Sequence, residues 1–192
     1  MHRRTALTLI ATPLAAQQRN LRIVVKIETE LGDILVALSG DRAPKTVENF
    51  LHYLDTGRYD GGVFHRAVKM ENQPNSPVKI EVIQGGPNPA LKQRFPAIPL
   101  ERTDLTGLKH VNGAISMARD SADTATADFF FCLGDQPELD FGGKRNPDGQ
   151  GFAAFGLVLK GLEVIRKIQQ SAVTAQLLTP PIRIVRISRA EP

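Results

Sequence analysis

One cysteine in 192 residues, Cys132, leaves no internal disulfide to form. Set between Phe131 and Leu133, it reads as a buried structural thiol. The four histidines, His2, His52, His65 and His110, are scattered, and no pair has a ligand spacing such as i, i+4, so no metal site is expected. A serine–histidine nucleophile would need a Gly-x-Ser-x-Gly turn, and none occurs. The glycine-rich GGKRNPDGQG lacks the Gly-Lys-Ser/Thr ending that cradles phosphate and reads as a surface loop. Nothing fixes the separation of Asp128, Glu138 and Asp140 as an acid–base pair requires. No apolar stretch reaches the roughly 18 residues of a membrane span. The formal net charge of +4 includes Arg3 and Arg4 at the chain start. The remaining charges are interspersed, without the basic stripe of a nucleic-acid binder.

What is present points to one β-rich domain. A chain this long buries about 70% of its unfolded surface and needs no metal or disulfide to stand. The opening MHRRTALTLIATPLAAQQ reads as an export signal over residues 1–16, with two arginines, a short apolar run and a small-residue Ala15-Ala16 end. The remainder, 21–192, reads as a single domain. In LRIVVKIET, residues Leu21, Ile23, Val25 and Ile27 share one face; after ELGD, Ile34, Val36 and Leu38 do the same, which predicts a β-hairpin. APKTVENFLHYLDTG predicts a helix, with Pro44 in its first turn, Val47, Phe50, Leu51 and Leu54 on one side, and Gly57 as its stop. KIEVIQGG, GAISMA, ADFFFCLGD, GFAAFGLVL and IRIVRIS are strand-length runs. GLEVIRKIQQS predicts a second helix with Leu162, Ile165 and Ile168 inward. Many short strands with two isolated helices suggest a closed antiparallel barrel. KMENQPNSPVK reads as an excursion loop, expected to form a flexible rim beside a groove.

GVFHRAV poses a question. Strand alternation would put Arg66 on one face with Phe64 and Val68, a permanent charge in register with apolar neighbours. An edge-strand arginine reaching solvent is the simplest account.

Seven segments supply another: APKTVENF, VFHRAV, VIQGGPNP, GAISMAR, DFFFCLGDQPELD, GFAAFG and GLEVI, in that order. FHR or IQGG alone is weak. The ordered set resembles the cyclophilin family of peptidyl-prolyl cis/trans isomerases, in a bacterial form with a longer loop before VIQGG, from roughly Leu21 onward. The resemblance implies a mostly β fold: a closed eight-stranded antiparallel β-barrel capped by two α-helices. It implies rotation about X-Pro bonds without metal or cofactor, and puts Arg66 at the catalytic arginine. Phe130 would floor a proline pocket, Val82 and Leu139 would wall it, and Phe64 would support it. Gln84 would hydrogen-bond the substrate backbone or Arg66. The main chain at Ala118 and Arg119 would pair with bound peptide.

Asp128, Glu138 and Phe152 stand where better-known members carry glutamine, tryptophan and histidine, which puts Asp128 and Phe152 at the substrate site. Glu81 and Val82 replace a phenylalanine and a methionine. For Asp128 two outcomes are open: an ion pair that pins Arg66, or a contact that orients it. The implied partners are proline-containing peptides and unfolded proteins, met by an exported, periplasmic monomer. The alternative reading is a barrel that holds proline segments without isomerising them.

Overall fold

The computed structural model describes residues 23–190. The export-signal expectation for residues 1–16 lies outside that range, as do the outermost positions of the 21–192 domain. The alternation in IVVKIET and GDILVAL builds β1 (Ile23–Thr29) and β2 (Gly32–Leu38), paired antiparallel from Ile23↔Leu38 to Thr29↔Gly32. Gly32 closes their turn at φ +134°, a conformation side chains avoid, and a Cβ there would lie 2.9 Å from Val164.

The remaining strands are β3 (Val63–Val68), β4 (Val82–Gly86), β5 (Ala114–Met117), β6 (Phe129–Cys132), β7 (Ala153–Lys160), β8 (Val173–Thr174) and β9 (Leu177–Ala190). Around the wall the order is β1-β2-β7-β5-β6-β4-β3-β9, and β9 returns to pair with β1. Eight strands therefore close a barrel, every pair antiparallel, and the two-residue β8 hangs on β9 alone.

Among the described residues three α-helices accompany the barrel where two were expected: α1 (Pro44–Asp55), α2 (Thr103–Thr106) and α3 (Leu162–Gln170). The extra one, α2, is a single turn. In α1 the buried face carries Val47, Phe50 and Leu54 as the spacing predicts, but Tyr53 rather than Leu51 completes it. Tyr53 has a reason to turn inward: its hydroxyl accepts a hydrogen bond from the Phe95 N–H at 2.7 Å, and its ring meets Tyr59. In α3, Val164 joins Ile165 and Ile168, while Leu162 is only partly buried.

Two apolar clusters result. The larger fills the barrel interior, with Val25, Ile27, Ile34, Phe64, Ile83, Phe129, Phe131 and Phe155 beneath the faces of α1 and α3. Each such side chain contributes about 1.5–3 kcal/mol on leaving water. The smaller lies on the outer side of the wall: Val68, Ile80, Val82, Phe130, Cys132 and Leu139. β6 shows the division plainly, since Phe129 and Phe131 enter the interior cluster and Phe130 the outer one.

β3 does not alternate as expected. Its register slips between Phe64 and Arg66, a β-bulge that leaves His65 without a partner across the strand pair. Phe64 therefore points into the interior with Ala67, while Arg66 and Val68 face outward. The extra residue answers the question GVFHRAV poses: the charge and Phe64 are not on one face at all.

Candidate active site

Pairing across the wall lines up the candidate residues. Arg66 is the register partner of Gln84, Gln84 of Phe130, and Phe130 of Ser116, which makes one transverse row over β3, β4, β6 and β5. One step along, Val68, Val82 and Cys132 form the next row. Polar guanidinium and amide thus sit beside an apolar floor because four short strands share one register.

Above the rows lies a hollow of about 350 Å³. Arg66, Val82, Gln84, Ala118, Arg119, Asp128, Phe130, Leu139 and Phe152 all border it. Phe130 forms its base, and Phe152 stands edge-on to that ring, with centroids 5.5 Å apart at 89°. Leu139 is buried beside them. Phe64 is the exception among the expected residues. It is wholly buried in the interior against Phe129 and Phe131, because the bulge turns it through the wall. It supports the floor only from behind.

Arg66 is half-buried and held by two amides. Its Nε and Nη2 donate to Gln176 Oε1 at 2.9 and 2.6 Å, and its Nη1 donates to Gln84 Oε1 at 3.1 Å. Burial, then the like charge of Arg145, lowers its pKa from the usual value. A guanidinium stays protonated nonetheless. Among the described residues Arg66 makes no ion pair. Asp128 instead faces His65, 3.8 Å away, and the side-chain partners of Arg66 are Gln84 and Gln176, so Asp128 neither pairs with Arg66 nor orients it by direct contact. Burial raises the Asp128 carboxyl above its usual range, against the opposing charges of His65 and Arg94 and a hydrogen bond from Gln84.

Arg119 is engaged as well. It forms a bidentate pair with Asp148 at 2.7 and 2.9 Å, donates to the Gly151 carbonyl, and lies 4.9 Å from the centre of the Phe152 ring. Its side chain braces a wall of the hollow. The Ala118 N–H is occupied by the Asp128 carbonyl at 2.9 Å.

Several neighbours escaped the sequence. Gln176 sits in the β8–β9 turn, 110 residues from Arg66. Arg94 and Arg145 also border the hollow, the second from the glycine-rich stretch read as a surface loop. Below the floor, His110 stacks on Phe130 at 12°; its Nδ1 bonds Asp140 Oδ1 at 2.8 Å and its Nε2 lies in hydrogen-bond contact with Ser116 Oγ at 2.9 Å. This serine–histidine–aspartate line has the order of a nucleophile system. Ser116 and His110 are nevertheless sealed from solvent, so it serves as a brace. Burial works against the ionised Asp140, but the His110 hydrogen bonds and charge outweigh it and hold the carboxyl below its usual range.

The sequence matches the family described as cyclophilin type peptidyl-prolyl cis-trans isomerase/CLD over residues 24–191. Peptidyl-prolyl cis-trans isomerase A of Dickeya dadantii is 37% identical over 147 residues, 76% of this chain and 70% of that protein. Peptidyl-prolyl cis-trans isomerase B of Escherichia coli is 34% identical over 147 residues, 76% of this chain and 84% of that protein. A crystal structure of a cyclophilin type isomerase from Cryptosporidium parvum superposes with a TM-score of 0.72 at 22% identity, over 89% of this chain and 99% of that one. The closed barrel is cyclophilin-like in fold. The chain belongs to the cyclophilin-type peptidyl-prolyl cis-trans isomerase family.

Proposed function

We propose that Arg66 is the catalytic group of this isomerase and that the hollow over Phe130 takes the proline ring. The reaction is rotation about peptidyl-prolyl bonds, slow because the amide barrier is about 18–20 kcal/mol. Twisting the bond returns the lone pair to the proline nitrogen, which becomes a hydrogen-bond acceptor. A guanidinium beside that nitrogen binds the twisted state better than either planar state, which is the requirement for catalysis. The reading rests on one observation: a half-buried cation, without a carboxylate partner among the described residues, beside the apolar floor that Val82, Phe130 and Leu139 give to the hollow.

Val82, Leu139 and Phe152 would grip the ring, Gln84 would share its amide between Arg66 and the substrate backbone, and Asp128 would border the approach. The substrates are proline-containing peptides and unfolded chains. A crystal structure of the Cryptosporidium parvum protein was determined in the presence of the dipeptide Ala-Pro, which is consistent with this substrate class. The basic-then-apolar residues 3–14 support an exported, periplasmic form, and the lack of a heptad pattern supports a monomer. Two-dimensional exchange NMR on an X-Pro tetrapeptide tests the mechanism. Arg66→Ala should slow cis–trans exchange roughly 10²–10³-fold, the cost of losing one transition-state donor. Unchanged exchange in that variant would remove Arg66 from the mechanism.

A further inference from the structure

An arginine carries five N–H donors in a planar fork. Gln176 takes one from Nε and one from Nη2 of Arg66, and Gln84 takes one from Nη1. Two donors remain for a substrate. Both clamping atoms are amide oxygens, which hold the fork as a carboxylate would but leave its charge uncancelled. Gln176 is itself held. Its Nε2 donates to the Asn72 carbonyl at 3.1 Å, which fixes Oε1 as the end facing Arg66, and its own carbonyl accepts from the Ala67 N–H at 2.9 Å. Ala175, at φ +56°, turns the chain so that Gln176 reaches back toward β3.

Asn72 belongs to the loop of residues 69–79, and its side chain ties that loop down. It accepts from the Lys69 N–H at 2.8 Å and donates to the carbonyls of Ala67 at 2.9 Å and Ala175 at 3.0 Å. The loop is therefore bonded both to the strand that carries Arg66 and to the turn that carries Gln176.

We propose that Gln176, secured by Asn72, is a positioning residue: it aims the Arg66 guanidinium at the hollow while leaving its charge intact. This rests on the reading of Arg66 as the catalytic cation. The test uses the whole chain, with kcat and KM for an X-Pro tetrapeptide and the Arg66 Nε–H signal in ¹⁵N spectra. Gln176→Ala should lower kcat roughly ten- to a hundredfold, the effect of a misplacement of about 1 Å. KM should hardly move, and the Arg66 signal should be lost to solvent exchange. Gln176→Glu should keep that signal yet also lower kcat, because a carboxylate fixes the fork and cancels its charge.

Full kcat in Gln176→Ala, or a lowered kcat with the Arg66 signal unchanged, overturns the positioning role. Full kcat in Gln176→Glu overturns the argument from charge. Arg66→Ala separates the two layers. If it is inactive while Gln176→Ala is fully active, only the clamp falls. If Arg66→Ala is itself active, the catalytic reading fails and takes the clamp with it.

Discussion

Asp128 sits half-buried at the hollow beside the glycine-lined end of β4, where a Cβ on Gly86 would collide with its carboxylate. Burial raises its pKa, so the folded chain keeps this proton over a span of pH where the unfolded chain has lost it. Its contribution to stability is thus fullest below the unfolded value near 4 and is lost as pH rises through the folded value. Asp128→Asn should raise the melting temperature at neutral pH, on the order of 1–3 °C, a gain that shrinks to nothing in acid. Melting curves across the pH range check this; a loss of stability at pH 7 would mean that the His65 contact outweighs burial. Asp140 behaves in the opposite way. Held below its usual range, it supports the fold at neutral pH and withdraws that support in acid. Cys132 plays no part in either regime, since burial pushes its thiol far up and leaves it unreactive.

At the scale of elements, the eight barrel strands and both long helices were legible, while the two-residue β8 was not. β1, β2 and the helices showed through one apolar face, and β5 and β6 as short apolar runs buried on both faces. Periodicity misassigned β3 because a bulge adds a residue without any change in hydrophobic character: VFHRAV reads the same with or without the slip. Phe130 and Gln84 were legible through their own strands. Gln176 was not, since its partnership with Arg66 is made only when β9 pairs with β3. The 69–79 segment shows the same limit. Polar and proline-bearing, it reads as a loose rim, yet Met70–Asn72 forms a 3₁₀ turn and Gln73 is buried, its Nε2 on the carbonyls of Lys69 and Ile80 at 2.8 Å. Arg145 then pins it from across the hollow, with Nη1 bonding Gln73 Oε1 at 2.9 Å, Ser76 Oγ at 2.7 Å and the Val78 carbonyl at 2.6 Å. Arg145→Ala should release that pin. Trypsin cleavage after Lys79 should quicken roughly tenfold, as expected for losing about 1–1.5 kcal/mol of net hydrogen bonding. An unaltered digestion rate would mean that Gln73 alone secures the segment.

For the molecule as a whole, the seam between first and last strands decides whether there is a barrel. β9 pairs with β1 from Thr29↔Ile184 to Val24↔Ala190, and Ile184 and Ile187 belong to the interior cluster. Ending the chain after Arg183 would strip β1 of one neighbour and leave two sockets in the core. The shortened chain should lose its near-ultraviolet circular dichroism and cooperative melting, each emptied large site costing about 2–5 kcal/mol. Retention of both signals would show that seven strands suffice. Closure also determines how clients are met. With the interior packed solid and the proposed Arg66–Phe130 site on the outside of the wall, nothing would have to be threaded or enclosed. At such a site a polypeptide of any length could settle against the surface with one proline, whether mid-chain or near an end, and depart once that bond has turned.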